Sequence, residues 1–452
     1  MRTVLIANRG EIACRIIASC RRLGLRTVAV YSEADANALH VATADASHPI
    51  GPAPARESYL VADHVLQAAA AHHADAIHPG YGFLAENADF ARSVAAAGLI
   101  WIGPRAETIE AMGDKERARE IARAAGVPVL PGSPRFSAGV LGGVAAAAGA
   151  VGFPLLVKAT AGGGGIGMRR VDGPDALLEA AEATSSMAEK AFGDGTIYLE
   201  RFIPVARHVE VQIFGFGDGT AIHLFERDCS LQRRFQKIIE ETPAPGLHPE
   251  ITAAMAEAAV RLCREQRYSG AGTVEFIVDA GTGDFFFLEM NTRIQVEHPV
   301  TEMTTGTDLV AMQLELARGS LPPIAQSEIA RAGHAIECRL YAEAPARNFM
   351  PSPGTLTIFR HPVTTPDVRI DTGFREGDTI TPYYDPMIAK IICHAATREE
   401  AIAKMSATLD DIAIEGPRSN LQFLARTMAH PEFVAGRVFT GFVERYKAEL
   451  TG

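Results

Sequence analysis

The chain has 452 residues, which is enough for about three domains. Its residues are 47% hydrophobic and 21% charged, a composition typical of globular proteins that excludes general disorder. Lys and Arg number 43 against 54 Asp and Glu, and the resulting net charge of −11 argues against nucleic acid or an anionic membrane as the main partner. The sequence has no apolar run near the roughly 20 residues of a membrane-spanning helix. Six scattered cysteines without a CxxC pair favour a reducing cytoplasm over a disulfide framework or structural zinc.

Strands and helices alternate over residues 1–112. Short apolar runs at 3–7, 27–31, 76–77 and 99–102 predict four strands. After the first strand, Ile12, Ile16 and Ile17 recur at helical spacing, and Gly24 is a plausible end of that helix. This order predicts an α/β unit in which helices cover a parallel sheet.

The composition changes after residue 112. We expect a linker over 113–130 and then a small Gly- and Ala-rich unit over 131–203. Residues 204–452 form a third, larger unit. Its aromatic-rich strands predict a mostly antiparallel sheet with flanking helices, and these strands lie at 209–216, 220–225, 273–278 and 284–290.

A glycine loop at 162–167 contains the pattern G-x-G-x-x-G. A dinucleotide site needs a helix directly after the glycines. Here residues 154–158 and 168–171 both look like strands, and a helix starts only near Pro174, so the loop is expected to join a hairpin. Such a hairpin suits a flap whose backbone N–H groups cover a triphosphate, with Lys158 meeting phosphate oxygens. A flexible linker is the alternative interpretation.

Two acids lie inside apolar strands on either side of the turn 279–284. If the strands pair as a hairpin, Glu275 and Glu289 lie opposite each other. Two such carboxylates repel unless a positive charge lies between them. Mg²⁺ suits carboxylate oxygens together with nucleotide phosphates, so the pair predicts a magnesium site.

A polar stripe continues from the second of these strands. Its members occupy every second position and are Glu289, Asn291, Arg293, Gln295 and Glu297. In an extended segment alternate residues share one face, so acid, amide and guanidinium groups would line a single wall. A solvent-facing edge strand could show the same alternation. The mixture of metal-type and anion-type ligands favours a functional wall.

Several segments of the chain together form a specific set of motifs. They are Ile6-Ala7-Asn8-Arg9-Gly10-Glu11-Ile12-Ala13, His78-Pro79-Gly80-Tyr81-Gly82-Phe83-Leu84, Met112-Gly113-Asp114-Lys115, the glycine loop, Glu226-Arg227-Asp228-Cys229-Ser230, and Glu289-Met290-Asn291-Thr292-Arg293-Ile294-Gln295-Val296-Glu297-His298-Pro299. On these motifs the chain resembles biotin carboxylase, an ATP-grasp enzyme, over essentially its whole length. The resemblance implies an α/β (α+β) ATP-grasp fold. Its parts would be a Rossmann-like N-terminal domain over 1–112, a linker over 113–130, a glycine-rich lid over 131–203 and the C-terminal ATP-grasp and biotin carboxylase domain over 204–452.

The resemblance also implies roles for single residues. Binding of ATP is implied for Lys115, Lys158, Gly163, Gly164, Gly165, Met168, Glu200, Arg201, Ile203, His208 and Gln232. Binding of Mg²⁺ or Mn²⁺ is implied for Glu275, Glu289 and Asn291. Binding of bicarbonate is implied for Lys237, Arg293, Gln295 and the Val296 backbone. Glu297 matches the general base, Arg339 matches the cation that steadies the enolate of biotin, and Tyr81 and Gly82 match a contact to the biotin ring.

The implied activity is that of an ATP-dependent ligase. It would carboxylate biotin on a biotin carboxyl carrier protein with bicarbonate, through carboxyphosphate, and release ADP and phosphate. With no Met-Lys-Met site and no room for a carboxyltransferase, we expect a stand-alone cytoplasmic subunit, as a homodimer, with carrier and carboxyltransferase partners. The final acceptor is left open. Ile166 and Phe235 stand where the family usually has basic residues, so another ATP-grasp ligase and a weakly active ATP-binding scaffold are alternatives.

Overall fold

The computed structural model of the chain describes residues 1–160, 167–234 and 236–452. The predictions for Gly163, Gly164 and Gly165 lie outside these residues, as do the departures at Ile166 and Phe235. Within the described ranges, no helix is both long and apolar enough to cross a membrane.

A five-stranded sheet lies at the N-terminus. Its elements are β1 (Thr3–Ile6), α1 (Gly10–Arg22), β2 (Arg26–Tyr31), α2 (Leu39–Thr43), β3 (Ala46–Pro49), α3 (Ala62–Ala71), β4 (Ala76–His78), α4 (Ala88–Ala96), β5 (Ile100–Trp101) and α5 (Ala106–Gly113). The strand order is β3-β2-β1-β4-β5 and every pair is parallel, which confirms the predicted parallel sheet. Strand β3 was not predicted, because this partly exposed edge strand has no apolar run.

A smaller antiparallel sheet follows. The helix before it, α6 (Lys115–Ala124), packs instead in the core of the larger sheet that follows, through Ala118 and Ala122. The elements of the small unit are α7 (Val144–Val151), β6 (Leu155–Ala159), β7 (Met168–Val171), α8 (Leu177–Phe192) and β8 (Ile197–Arg201). The strand order is β7-β6-β8. Lys158 pairs with Met168 across β6 and β7, so a strand follows the glycine loop, as predicted.

The remaining chain builds an eight-stranded sheet and its covering helices. The first elements are β9 (Ala206–Phe216), β10 (Ala221–Arg233), β11 (Gln236–Thr242), α9 (Pro249–Glu265), β12 (Ser269–Asp279), β13 (Phe285–Asn291), α10 (His298–Thr305), α11 (Leu309–Arg318) and β14 (His334–Tyr341). The later ones are β15 (Glu343–Ala344), β16 (Met350–Pro351), β17 (Gly354–Thr355), β18 (Ile358–Arg360), β19 (Val368–Thr372), β20 (Thr379–Ile380), β21 (Met387–Ala395), α12 (Arg398–Asp410), β22 (Ala413–Glu415), α13 (Leu421–Ala429), α14 (Pro431–Val434), α15 (Phe442–Arg445) and α16 (Lys447–Thr451).

The large sheet has the order β13-β12-β9-β10-β11-β14-β21-β19, and its neighbouring strands are antiparallel. On β14, Cys338 and Leu340 belong to an apolar core shared with helices α12 and α13. The opposite face of the same strand meets α10, where Ala335 packs with Val300. Both faces are therefore covered, and every residue of β14 is buried.

Candidate active site

A cavity of about 1090 Å³ is lined by residues of the small antiparallel sheet, of the eight-stranded sheet and of the segments that follow β1 and β4 in the N-terminal unit. The predicted site residues in its wall are Tyr81, Gly82, Lys115, Lys158, Glu200, His208, Gln232, Lys237, Glu275, Glu289, Asn291, Arg293, Gln295, Val296, Glu297 and Arg339. The structure therefore brings together residues more than 250 positions apart in the sequence.

Three predicted residues do not line the cavity. Met168 lies across the hairpin from Lys158, Arg201 is exposed at the end of β8, and Ile203 is buried in a small apolar cluster with Leu130. Among the residues that the structure describes, their side chains form no part of the cavity wall.

The ammonium of Lys237 is the centre of the most charged part of the cavity. Its Nζ lies 2.6 Å from Glu210 Oε2, 2.7 Å from Glu275 Oε1 and 2.7 Å from Glu297 Oε1. Burial opposes the charge of this lysine, yet the three carboxylates outweigh burial and raise its pKa well above the usual value. Lys237 is therefore a permanent cation that carboxylates surround on three sides.

The carboxylate of Glu297 lies between two cations. Lys237 contacts Oε1, and Arg339 Nη2 lies 3.0 Å from Oε2. Burial opposes ionisation of this fully buried group, but Lys237 and Arg339 outweigh burial and hold the pKa of Glu297 well below its usual range. Glu297 is thus ionised at neutral pH and can accept a proton.

Arg293 and Gln295 lie beside these groups in the cavity wall. Arg293 donates to Gln295 Oε1 at 2.8 Å and to Asn291 Oδ1 at 3.0 Å, so alternate residues of the polar stripe do share one side. The polar stripe continues beyond its strand, since β13 ends at Asn291. Glu86 fixes the guanidinium of Arg293 from the N-terminal part of the chain, with Oε2 2.8 Å from Nε.

The predicted hairpin pairs Glu275 directly with Glu289, and this register is confirmed. Desolvation and the carboxylate of Glu275 opposite both raise the pKa of Glu289, which is the repulsion expected of two acids that share a cation. Asn291 Nδ2 donates to Glu275 Oε1 at 2.9 Å while its Oδ1 accepts from Arg293, so the amide group lies directly beside the carboxylate pair. The donor set of two carboxylates and one amide fits a hard divalent cation such as Mg²⁺.

Lys158 lies in the cavity wall beside a buried carboxylate. Its Nζ lies 2.7 Å from Glu200 Oε1, and Arg119 lies 2.9 Å from the other oxygen of the same carboxylate. Burial opposes the charge of Lys158, but Glu200 outweighs burial and raises its pKa. Glu200 therefore anchors two cations that face the cavity.

Tyr81 is tied to the opposite wall through buried charges. Its hydroxyl donates to Glu11 Oε1, and the other oxygen of Glu11 lies 3.2 Å from Lys390 Nζ. Lys390 also donates to the Val296 carbonyl at 2.8 Å. This chain of contacts holds the Val296 peptide in a fixed orientation relative to Tyr81.

Sequence reasoning missed several residues of the site. Glu210 is an acid inside the apolar strand β9, so the criterion that found Glu275 would also have found it. Glu11 and Glu86 lie in or beside quoted motifs, but no local pattern indicates their partners. Their charged partners, Lys390 and Arg293, are more than 200 residues away in the chain.

Comparison with family models gives three consecutive matches along the chain. The model "Biotin carboxylase, N-terminal domain" matches residues 1–109. The model "Carbamoyl-phosphate synthase L chain, ATP binding domain" matches residues 114–323. The model "Biotin carboxylase C-terminal domain" matches residues 337–445.

Two curated relatives match almost the whole chain. Biotin carboxylase 1 of Bacillus subtilis is 48% identical over 446 residues, which are 99% of this chain and 99% of that protein. The alpha subunit of mouse mitochondrial methylcrotonoyl-CoA carboxylase is 49% identical over 449 residues, which are 99% of this chain but 62% of that protein. The chain thus spans about six tenths of the length of the methylcrotonoyl-CoA carboxylase subunits that it matches.

A solved structure shares the whole architecture. The biotin carboxylase domain of Hydrogenobacter thermophilus 2-oxoglutarate carboxylase is 42% identical, with a TM-score of 0.90. The match covers 99% of this chain and 98% of that one. That structure is a dimer in complex with MgADP, ADP and bicarbonate.

Proposed function

The chain belongs to the biotin carboxylase family of ATP-grasp enzymes, and from this we propose that it carboxylates biotin on a carrier protein with ATP and bicarbonate. The observation that supports the proposal best is the convergence of Lys237 and Arg339 on the ionised Glu297. A base held between two cations, next to Arg293 and Gln295, suits deprotonation of a bound anion.

Bicarbonate would bind to Lys237, Arg293, Gln295 and the Val296 backbone. Glu297 would remove its proton, and the resulting oxygen would attack the γ-phosphoryl group of ATP to give carboxyphosphate and ADP. The MgADP and bicarbonate bound to the Hydrogenobacter thermophilus relative support this choice of substrates.

The nucleotide would lie toward β6 and β8. Lys115 and Lys158 would meet its phosphates, and the glycines at 163–165 with Met168 would cover them from the loop. The adenine and ribose are assigned to Glu200, Arg201, Ile203, His208 and Gln232. Glu275, Glu289 and Asn291 would hold Mg²⁺ or Mn²⁺, which offsets the phosphate charge when bound.

Biotin would enter beside Tyr81 and Gly82. Carboxyphosphate decomposes to CO₂ and phosphate, and phosphate can take the proton of the biotin ureido nitrogen. Arg339 would then stabilise the enolate oxygen that this leaves. Its Nε is buried without a hydrogen-bond partner among the described residues, so a donor is available for such an oxyanion.

We infer that the physiological substrate is biotin on a carboxyl carrier protein and that a carboxyltransferase uses the product. We also propose a homodimer, which is the state of the Hydrogenobacter thermophilus relative, and action in the cytoplasm. The net charge of −11 supports the absence of nucleic acid as a partner.

The test is ADP release from MgATP in the presence of bicarbonate, with and without free biotin. We expect biotin to accelerate ADP release and Glu297→Gln to abolish that acceleration. A rate of ADP release that does not change with biotin but increases with another amine or carboxylate substrate would favour a different ATP-grasp ligase. ATP binding without turnover under any of these conditions would favour the scaffold.

A further inference from the structure

A layer of buried charged side chains lies beneath the cavity, between the eight-stranded sheet and helices α1 and α10. On adjacent strands of the sheet, Glu240 pairs in register with Glu337, and Arg339 pairs with Lys390. All four side chains are buried, although polar groups are rarely placed in such a position without a partner.

Arg339 lies between two carboxylates of this layer. Its Nη2 is 2.6 Å from Glu240 Oε1 on one side and 3.0 Å from Glu297 Oε2 on the other. Only Arg339 and Glu297 line the cavity, and Glu240 contacts the guanidinium from behind. The three side chains have no more than 9% of their surface exposed.

The two carboxylate partners of Arg339 differ in what happens to them during the reaction. Glu297 loses its negative charge when it accepts a proton, and from then on it cannot balance the guanidinium. Glu240 does not reach the substrates, so its contact with Arg339 persists. A buried arginine that must act after Glu297 is protonated needs this second carboxylate to keep its position.

Glu337 plays a different part in the same layer. Neither of its carboxyl oxygens has a hydrogen-bond partner within the described part of the chain, and there it lacks the ion pair that Glu240 forms with Arg339. Burial raises the pKa of Glu337 well above its usual value, and this effect exceeds the lowering by Lys390. Repulsion from Glu240 raises the pKa further. Burial raises the pKa of Glu240 less, to about 7, because the guanidinium of Arg339 opposes the effect of burial. Glu337 is therefore the member of the acidic pair that takes up a proton first, and the ion pair with Arg339 favours the charged form of Glu240.

We propose that Glu240 is a positioning residue that holds the guanidinium of Arg339 at the cavity wall for the carboxylation of biotin. The inference rests on the proposed function, since it assigns Arg339 to biotin. It separates two parts of the reaction: Glu240 serves the step that involves biotin and leaves the bicarbonate-dependent cleavage of ATP largely unaffected.

The experiment compares Glu240→Gln with the matched variant Glu337→Gln. Both replace a buried carboxyl with an isosteric amide on adjacent strands. Two rates are measured for each protein: bicarbonate-dependent ADP release without biotin, and the increase in that rate on adding free biotin. For Glu240→Gln we expect the biotin-dependent increase to fall at least about tenfold, the size of a lost charged hydrogen bond, while the rate without biotin changes much less. Glu337→Gln should keep both rates, because Gln resembles the protonated acid.

Several results would overturn the inference. An equal loss of both rates in Glu240→Gln would indicate a merely structural role, and unchanged rates would show that Arg339 does not need this anchor. An equal effect of Glu337→Gln would show that the layer as a whole matters. If Glu240→Gln does not fold, Glu240→Asp keeps the charge but withdraws it from Arg339, and it should lose part of the biotin-dependent increase alone.

The wild-type protein separates this inference from the proposed function. If it releases ADP without any response to biotin, the proposed function fails and the role of Glu240 fails with it. If it responds to biotin but Glu240→Gln responds equally well, only the role of Glu240 is refuted.

Discussion

Replacement of Lys237 by Met should destabilise the protein strongly at alkaline pH and less at acidic pH. The ammonium contacts the carboxylates of Glu210, Glu275 and Glu297, and its side chain is only 12% exposed. Removing one partner of a buried ion pair costs about 3 to 5 kcal/mol. The entropy of unfolding is about 2.1 cal/mol/K per residue, or about 0.95 kcal/mol/K for 452 residues. For cooperative unfolding, the melting temperature at pH 8 should therefore fall by about 3 to 5 °C.

The pH dependence gives the sharper test. In the wild-type protein Lys237 lowers the pKa of Glu275 and Glu297, so their stabilising contribution is present above their unfolded pKa of about 4.3. Without Lys237 the pKa values of both carboxylates rise. The cost of burying them without a cation then disappears as the pH falls through these raised values, because the carboxylates take up protons. Calorimetric melting at pH 8 and pH 5.5 should show a larger loss at pH 8.

The control is Lys404→Met, which removes a partly exposed lysine whose partner Asp367 is more exposed still. We expect only a small change in melting temperature, and the same change at both pH values. If Lys237→Met melts like the wild-type protein at pH 8, or loses the same amount at both pH values, Lys237 does not neutralise buried carboxylates.

Other predictions concern packing, the bicarbonate wall and the metal. Gly373→Ala should lower the free energy of unfolding by about 1 to 3 kcal/mol in a denaturant titration, because the new Cβ would lie 2.6 Å from the backbone of Gly10. The control Gly149→Ala, on the exposed face of α7, should instead raise the free energy of unfolding by about 0.5 to 1 kcal/mol. Glu86→Gln should raise the KM for bicarbonate by about tenfold with a smaller effect on the KM for ATP, since it frees the guanidinium of Arg293; equal effects on both would contradict this reasoning. Chelation of divalent cations should abolish ADP release, and added Mg²⁺ should restore it.

The local part of the fold and site could be predicted from the sequence. Two apolar strands around a short turn indicated a hairpin that would place Glu275 opposite Glu289, and the structure confirms this pairing. The alternation from Glu289 to Glu297 predicted a shared wall, although the strand itself ends at Asn291. In both cases the prediction rested on polar residues within a short apolar segment, which can be recognised from neighbouring positions alone.

The layer beneath the cavity could not be predicted in this way. Strand β14 alternates apolar and polar residues from Ile336 to Leu340, a pattern typical of a strand with one face exposed to solvent. The structure covers that face with α10 and satisfies its charges through partners on other strands, such as Glu240 and Lys390. These partners are 50 to 100 positions away, and local periodicity carries no information about them.

The surroundings of Glu297 explain how an acidic chain can handle anionic substrates. Within the described part of the chain, eight Lys and Arg but only six Asp and Glu side chains line the cavity, so the local balance is positive despite a net charge of −11. Because Lys237 and Arg339 already contact Glu297, an anion that enters must share both cations with that carboxylate. Sharing weakens the attraction that holds the pKa of Glu297 low, so the carboxylate becomes a stronger base as the anion binds. In the proposed reaction, proton acceptance by Glu297 would therefore be coupled to binding of the anion, and before the anion binds the same carboxylate neutralises its two cations.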